Sequence, residues 1–182
     1  MSKLAINGGN KVRTELFPAY RVIGKEEEEA VTKVMRSGIL SKYLGCWADD
    51  FYGGPQVQVM EKEWAEFYGV KHAISVNSAT SALYCAVGAI GLNPGDEVIV
   101  SPYTMCASAT APLIYNAVPV FADLEYDYYC LDPEDIEKKI TEKTKAIIVV
   151  DILGQPYDAD KINAIAKKHG LYVIEDNAQG PL

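Results

Sequence analysis

Residues 146–176 read AIIVVDILGQPYDADKINAIAKKHGLYVIED. An apolar run, Ala146–Val150, is followed by a stretch from about Ala159 to His169 that carries its apolar residues at helical spacing. Gly170 stops that helix, and Leu171–Ile174 is apolar again. Working outward, the same alternation recurs. Strand-like runs fall at His72–Val76, Glu97–Val100 and Val118–Ala122. Helical stretches lie between them. One begins near Thr80 and carries Leu83, Val87 and Ile90, and one runs from about Thr104 to Ile114, with Pro112 expected to kink it. Another opens on Asp132-Pro133-Glu134-Asp135, an N-cap followed by proline at the first helical position. Apolar strands alternating with helices imply an α/β fold with a mostly parallel sheet covered by helices on both faces.

Before residue 71 the pattern is different. Glu26 to Met35 places Ala30, Val31 and Val34 on one face, with acids in the first turn and Gly38 as the C-cap. Residues 39–54 read as a loop. Pro55 opens a second helix with Val59, Met60, Trp64 and Phe67 as its stripe and Gly69 as its stop. The expected division is an N-terminal helical segment, 1–70, and an α/β core, 71–182.

The bulk properties narrow the function classes. The chain has 182 residues, 49% hydrophobic and 23% charged, with a formal net charge of −8. That balance repels a phosphate backbone and argues against nucleic acid as a partner. The four cysteines, Cys46, Cys85, Cys106 and Cys130, form no C-x-x-C pair, and only His72 and His169 could join them, so no metal site is expected. Scattered cysteines in an acidic chain fit a reducing cytoplasm. No apolar run has the length of a membrane span, and Met1–Gly9 lacks the apolar stretch of a signal peptide.

In open α/β sheets ligands bind beyond the carboxyl ends of the strands. Polar residues gather there: Asn77-Ser78-Ala79-Thr80-Ser81, Ser101-Pro102-Tyr103-Thr104-Met105, Asp123, Asp151 and Glu175-Asp176-Asn177-Ala178-Gln179. Ser78-Ala79-Thr80 is small and leads into a helix, which suits either an anion on the backbone N–H groups or a plain N-cap. Asp176 follows an apolar strand; it could bind a ribose hydroxyl, a metal or a protonated heterocycle, or cap the next segment. Gln179, three residues on, faces the same ligand if the chain turns helically.

The segments Asn77–Leu83, Leu92–Val100, Pro119–Asp123, Thr144–Ile148, Gly154-Gln155-Pro156 and Val173–Gln179 together resemble the DegT/DnrJ/EryC1/StrS sugar aminotransferase family. Asn7-Gly8-Gly9 and Arg36–Ser41 are similar as well, so the likeness covers nearly the whole chain. The resemblance implies the large domain of a fold type I enzyme dependent on pyridoxal 5'-phosphate (PLP). It implies that Ser78, Ala79 and Thr80 hold the cofactor phosphate, that Asp176 pairs with the pyridine nitrogen, and that Gln179 hydrogen-bonds the phenolic oxygen. Met105 stands where the family has an aromatic residue stacked on the ring; a thioether can also pack on a π-face, and core packing is the competing reading.

The implied reaction moves an amino group from glutamate or glutamine to a keto-sugar or keto-cyclitol, in a homodimer with shared active sites. The alternatives are a PLP-dependent sugar dehydratase of the same family, a non-catalytic fragment or regulatory relative, and a nucleotide-binding domain, against which the missing glycine fingerprint argues. The family's Schiff-base lysine lies beyond the aspartate–glutamine motif, where only Gly180-Pro181-Leu182 follow here; Lys167 and Lys168 sit near a helix end and read as solvated. The expectation is an N-terminal part of a longer enzyme, inactive alone.

Overall fold

A computed structural model of the chain describes residues 3–180, without the side chain of Asp50. It divides into two compact units, one up to Ala73 and one from Ile74.

The first unit is built on α1, Lys25–Ser37, and α2, Pro55–Tyr68. Local chemistry sets each end. The Gly24 amide donates to Glu27 Oε2 at 2.7 Å, an acid reaching back over the first turn. That hydrogen bond holds the Glu27 carboxyl below its ordinary pKa. Gly38, at φ 69°, closes α1 in the left-handed conformation that a Cβ disfavours. Pro55 occupies the first turn of α2, and Gly69 ends it in the same way as Gly38. The expected 39–54 loop contains one short 3-10 turn, Asp49–Phe51, beside which the Trp47 and Phe51 rings stack at 5.6 Å. The apolar stripe of α2 is present, but Val59, Met60, Trp64 and Phe67 are all exposed.

The second unit carries a four-stranded parallel sheet in the order β2-β1-β3-β4. The strands are β1 Glu97–Val100, β2 Val118–Phe121, β3 Thr144–Val150 and β4 Tyr172–Asp176. The helices are α3 Ala79–Ala89, α4 Ala107–Leu113, α5 Pro133–Lys139 and α6 Ala159–His169. Side-chain alternation builds two cores, one on each face. Val98, Val100, Ala146 and Ile148 pack against Leu83 and Val87 of α3 and Ala107 and Ala111 of α4. Ile99, Ile147 and Val149 pack against Ile136 of α5 and Ile162 of α6. Each fully buried aliphatic side chain contributes roughly 1.5–3 kcal/mol. The helices on both faces are those that the apolar strands required.

Three expectations need correction. His72–Val76 forms no strand: β2 and β4 edge the sheet, the segment is not part of it, and Ile74 is 82% exposed. An apolar run becomes a strand only where a neighbour takes its backbone hydrogen bonds. The helix expected from Thr104 starts at Ala107. Ser101 Oγ accepts from the Tyr103 amide at 3.1 Å, and this side-chain bond holds the segment in a bend that competes with helix. The helix expected to run to Ile114 ends at Leu113, so Pro112 falls in its last turn, and the Pro112 carbonyl accepts the amides of Tyr115 and Ala117.

Candidate functional site

Asp176 closes β4, so it lies in the strand rather than after it. Ile174, two residues earlier, packs on the α3/α4 face, and alternation sends Asp176 the same way. There Ser108, fully buried in α4, donates from Oγ to Asp176 Oδ2 at 3.1 Å. The Ala178 amide donates to Oδ1 at 3.3 Å. Both carboxylate oxygens are therefore held from within the fold. A cavity of about 200 Å³ opens between this strand end and the start of α3, with Ala79, Ala82 and Ala86 on one wall and Asp176, Asn177 and Ala178 on the other. The alanines leave the space that larger side chains would fill.

The N-terminus of α3 is capped by Ser78, whose Oγ accepts from the Ser81 amide at 3.1 Å. The N-cap reading of Ser78 is thus correct. The Ala82 amide bonds the Ser78 carbonyl. The Ala79 and Thr80 amides are the first two of the helix, where helical geometry offers no acceptor. They are the donors left for an anion. Ala79 lines the cavity opposite Asp176; Thr80 is half-buried and lies outside the cavity wall.

Gln179 and Met105 do not line this cavity. Gln179 Oε1 accepts from the Leu153 amide at 2.5 Å, which ties it to the loop after β3. Its Nε2 remains the end that can donate elsewhere. Met105 is 67% exposed, so core packing does not describe it. Its carbonyl accepts the Ser108 amide, one helical turn before the hydroxyl that holds Asp176. The structure therefore joins Asp176 and Ala79 in one cavity and sets Thr80, Met105 and Gln179 outside its walls.

Two features escaped the sequence reading. Ser108 is one hydroxyl in a small-residue stretch, and only the folded chain brings it to a partner 68 residues away. The second is a carboxyl cluster on the other side of the strand end. Asp151 is buried and accepts the Tyr157 amide at 3.0 Å. Burial, followed by the charge of Asp151 and a hydrogen bond with it, pushes the Glu175 carboxyl above its ordinary pKa. Burial and the same two carboxyl groups raise the Tyr157 hydroxyl. Asn177 Nδ2 donates to Glu175 Oε1 at 3.2 Å. The tandem acid Glu175-Asp176 was the available signal: in a strand, adjacent residues face opposite ways.

Among the described residues no group of three or more His, Cys, Asp or Glu gathers as metal ligands, and no helix is long and apolar enough to cross a membrane. All four cysteines are free.

The DegT/DnrJ/EryC1/StrS aminotransferase family matches residues 21–181. The spore coat polysaccharide biosynthesis protein SpsC of Bacillus subtilis (strain 168) is 46% identical over 157 residues, 86% of this chain and 38% of that protein. The L-glutamine:2-deoxy-scyllo-inosose aminotransferase of Streptomyces lividus is 39% identical over 179 residues, 97% of this chain and 41% of that enzyme. Among solved structures, NtdA from Bacillus subtilis with its cofactor PMP bound superposes with a TM-score of 0.76 at 33% identity, over 84% of this chain and 33% of that one. The chain spans about 40% of the length of the curated relatives it matches. With the parallel sheet, the cavity at its carboxyl edge and the family match over most of its length, this chain belongs to the DegT/DnrJ/EryC1/StrS aminotransferase family.

Proposed function

We propose that the protein carrying this sequence is a PLP-dependent aminotransferase that moves an amino group from glutamate or glutamine to a keto-sugar or keto-cyclitol. The observation that carries the reading is the Asp176 carboxylate, fixed by Ser108 Oγ and the Ala178 amide on a cavity whose far wall begins a helix. A carboxylate so held suits a protonated heterocyclic nitrogen, and the start of α3 suits a phosphate. The cavity therefore fits the cofactor in charge at both walls.

Bound PLP would supply an electron sink for the carbon that gains or loses nitrogen. The chain's own residues would do the rest. Asp176 would keep a proton on the pyridine nitrogen, because its negative charge favours the cationic ring. Ser108 would keep that carboxylate aimed by occupying Oδ2. The Ala79 and Thr80 amides would hold the phosphate, with Ser78 fixing the turn that presents them. Gln179 already spends Oε1 on Leu153, so it would turn Nε2 toward the phenolic oxygen as a donor. Met105, exposed at the start of the same helical turn as Ser108, would cover one face of the ring with a polarisable thioether.

The amino donor and acceptor are read from the relatives, one of which is named for L-glutamine and 2-deoxy-scyllo-inosose. A cytoplasmic homodimer is part of the same proposal. It is supported by the free cysteines and by the exposed stripe Val59, Met60, Trp64 and Phe67, which a second subunit would cover. The test is a half-reaction: L-glutamine or L-glutamate added to the PLP-loaded protein should convert the cofactor spectrum from the aldehyde to the amine form. An unchanged spectrum with both donors would overturn the reading.

A further inference from the structure

The loops that follow β3 and β4 are closed on each other by hydrogen bonds. Asp151, the first residue after β3, is buried and donates its amide to the Asp176 carbonyl at 3.3 Å. Its own carbonyl accepts the Gly154 amide at 3.1 Å, which closes a tight turn over Ile152 and Leu153. From that turn the Leu153 amide donates to Gln179 Oε1. In the other loop the Gly180 amide donates to the Asn177 carbonyl at 3.3 Å, so Gln179 stands inside a turn over residues 177–180. The Ala178 amide of this second turn holds Asp176 Oδ1. The path from Leu153 to the Asp176 carboxylate thus runs through one side chain and one turn, although neither Leu153 nor Gly154 lines the cavity that Asp176 faces.

Two features show that the loops are fitted to each other. The first is conformation. Leu153 holds φ 55° and Gly154 φ 82°. Left-handed backbone carries a steric cost for a residue with a Cβ, and the Leu153 side chain is 83% exposed, so little burial offsets that cost. What the strained turn presents is the Leu153 amide, and strain of this kind persists only where the surrounding structure imposes it. The second is closeness. A Cβ on Gly180 would stand 3.0 Å from the Gly154 Cα and 3.1 Å from Asn177 Oδ1, and one on Gly154 would stand 3.4 Å from the Gln179 carbonyl oxygen. Gly180 has no left-handed φ, so glycine is needed there for space; at Gly154 it is needed for conformation.

We propose that the Leu153-Gly154 turn is a positioning element of the cofactor site, acting through Gln179 and the 177–180 turn on the Asp176 carboxylate. By holding the Gln179 amide at its oxygen, the turn fixes where Nε2 can point. By anchoring the second loop, it keeps the Ala178 amide on Oδ1. The identity of the ligand rests on the aminotransferase reading; the clasp between the loops is a property of the chain itself.

Two measurements on the whole protein test the two parts. Without cofactor, amide hydrogen exchange is read at Leu153. Gln179→Leu should speed it about tenfold by removing the acceptor, while Gln179→Glu, whose carboxylate still accepts, should leave it slow. With cofactor, PLP affinity and the visible circular dichroism of bound PLP are compared in three glycine variants. Gly180→Ala, which forces the loops apart, and Gly154→Ala, which strains the turn, should each weaken PLP about tenfold and change the dichroism. Gly170→Ala imposes the same left-handed strain at φ 69°, at the end of α6 and with nothing within 4 Å of the new Cβ, so it should lower stability and leave both readouts alone. Exchange at Leu153 indifferent to Gln179→Leu would overturn the clasp. Wild-type affinity and dichroism in Gly180→Ala and Gly154→Ala, with only stability reduced, would overturn the positioning role. A wild-type protein that takes up no PLP would sink the aminotransferase reading and the positioning role with it, while the exchange result would still judge the clasp.

Discussion

The two units are built from equally clear local signals and have opposite interiors. Up to Ala73, α1 and α2 begin and end on well-formed caps, yet neither helix buries a residue; among the described residues of that unit only Gly53 is buried. From Ile74 onward, every residue from Ala146 to Val149 is fully buried, and so are Val98, Ile99 and Val100. The difference teaches that caps place the ends of a helix, while burial needs partners that caps do not provide. Glu27, Gly38, Pro55 and Gly69 act within one turn of chain. Ile147 depends on residues of α5 and α6, far along the sequence.

The largest expected effect follows from that contrast. Ile147→Ala should destabilise the protein by about 2–5 kcal/mol, since a closed core cannot refill the lost volume. Trp64→Ala, on the exposed stripe of α2, should cost much less in the chain studied alone. Urea unfolding of the two variants makes the comparison; equal losses would break it, by showing that the stripe is as well covered as the sheet core.

Ser108→Ala comes next, at about 1–3 kcal/mol. It removes a fully buried donor and leaves Asp176 Oδ2 without its partner. The cofactor spectrum should change along with stability, and Ser108→Thr should restore part of both. A stability loss with an untouched spectrum would make Ser108 a packing residue only.

Ser78→Ala should cost about 1 kcal/mol by uncapping α3. It should also weaken PLP binding, since the same turn presents the Ala79 and Thr80 amides. Affinity measured by cofactor titration checks this; unaltered affinity would move the phosphate away from this turn.

The smallest effect is a pH slope. The Glu175 carboxyl lies above its ordinary pKa of 4.5 because burial and Asp151 disfavour its charge. The folded state therefore holds this proton more tightly than the unfolded state does. The stability that results is fully present below pH 4.5 and is lost as pH rises from there through the raised folded value. Glu175→Gln should flatten the decline in melting temperature over that window, and an unchanged slope would assign it to other groups.

What the sequence disclosed and what it hid follow the same physics. Gly170, the Asp132-Pro133 pair and Pro55 mark helix ends through short-range backbone effects, and the structure places those ends accordingly. The alternation of Val98, Ile99 and Val100 cannot by itself name the helices on each face, though continuous apolarity showed that both faces are covered. His72–Val76 has the composition of a strand and lies outside the sheet. The places of Asp176 at a strand end and of Ser78-Ala79-Thr80 at a helix start were legible from the local pattern; their ligand roles are proposals. Ser108 and the Asp151–Glu175 pair were not legible, because each contact exists only where segments distant in sequence meet.

The central claim is that the Asp176 carboxylate acts on the pyridine nitrogen of PLP. The direct test is single-turnover transamination with L-glutamine by the protein and its Asp176→Asn variant, both loaded with PLP and followed through the cofactor spectrum. The amide keeps the shape of the side chain but lacks the charge that holds the ring cationic. The account predicts that the variant retains cofactor and converts it slower by a factor on the order of 10²–10³. Conversion at the wild-type rate would contradict it.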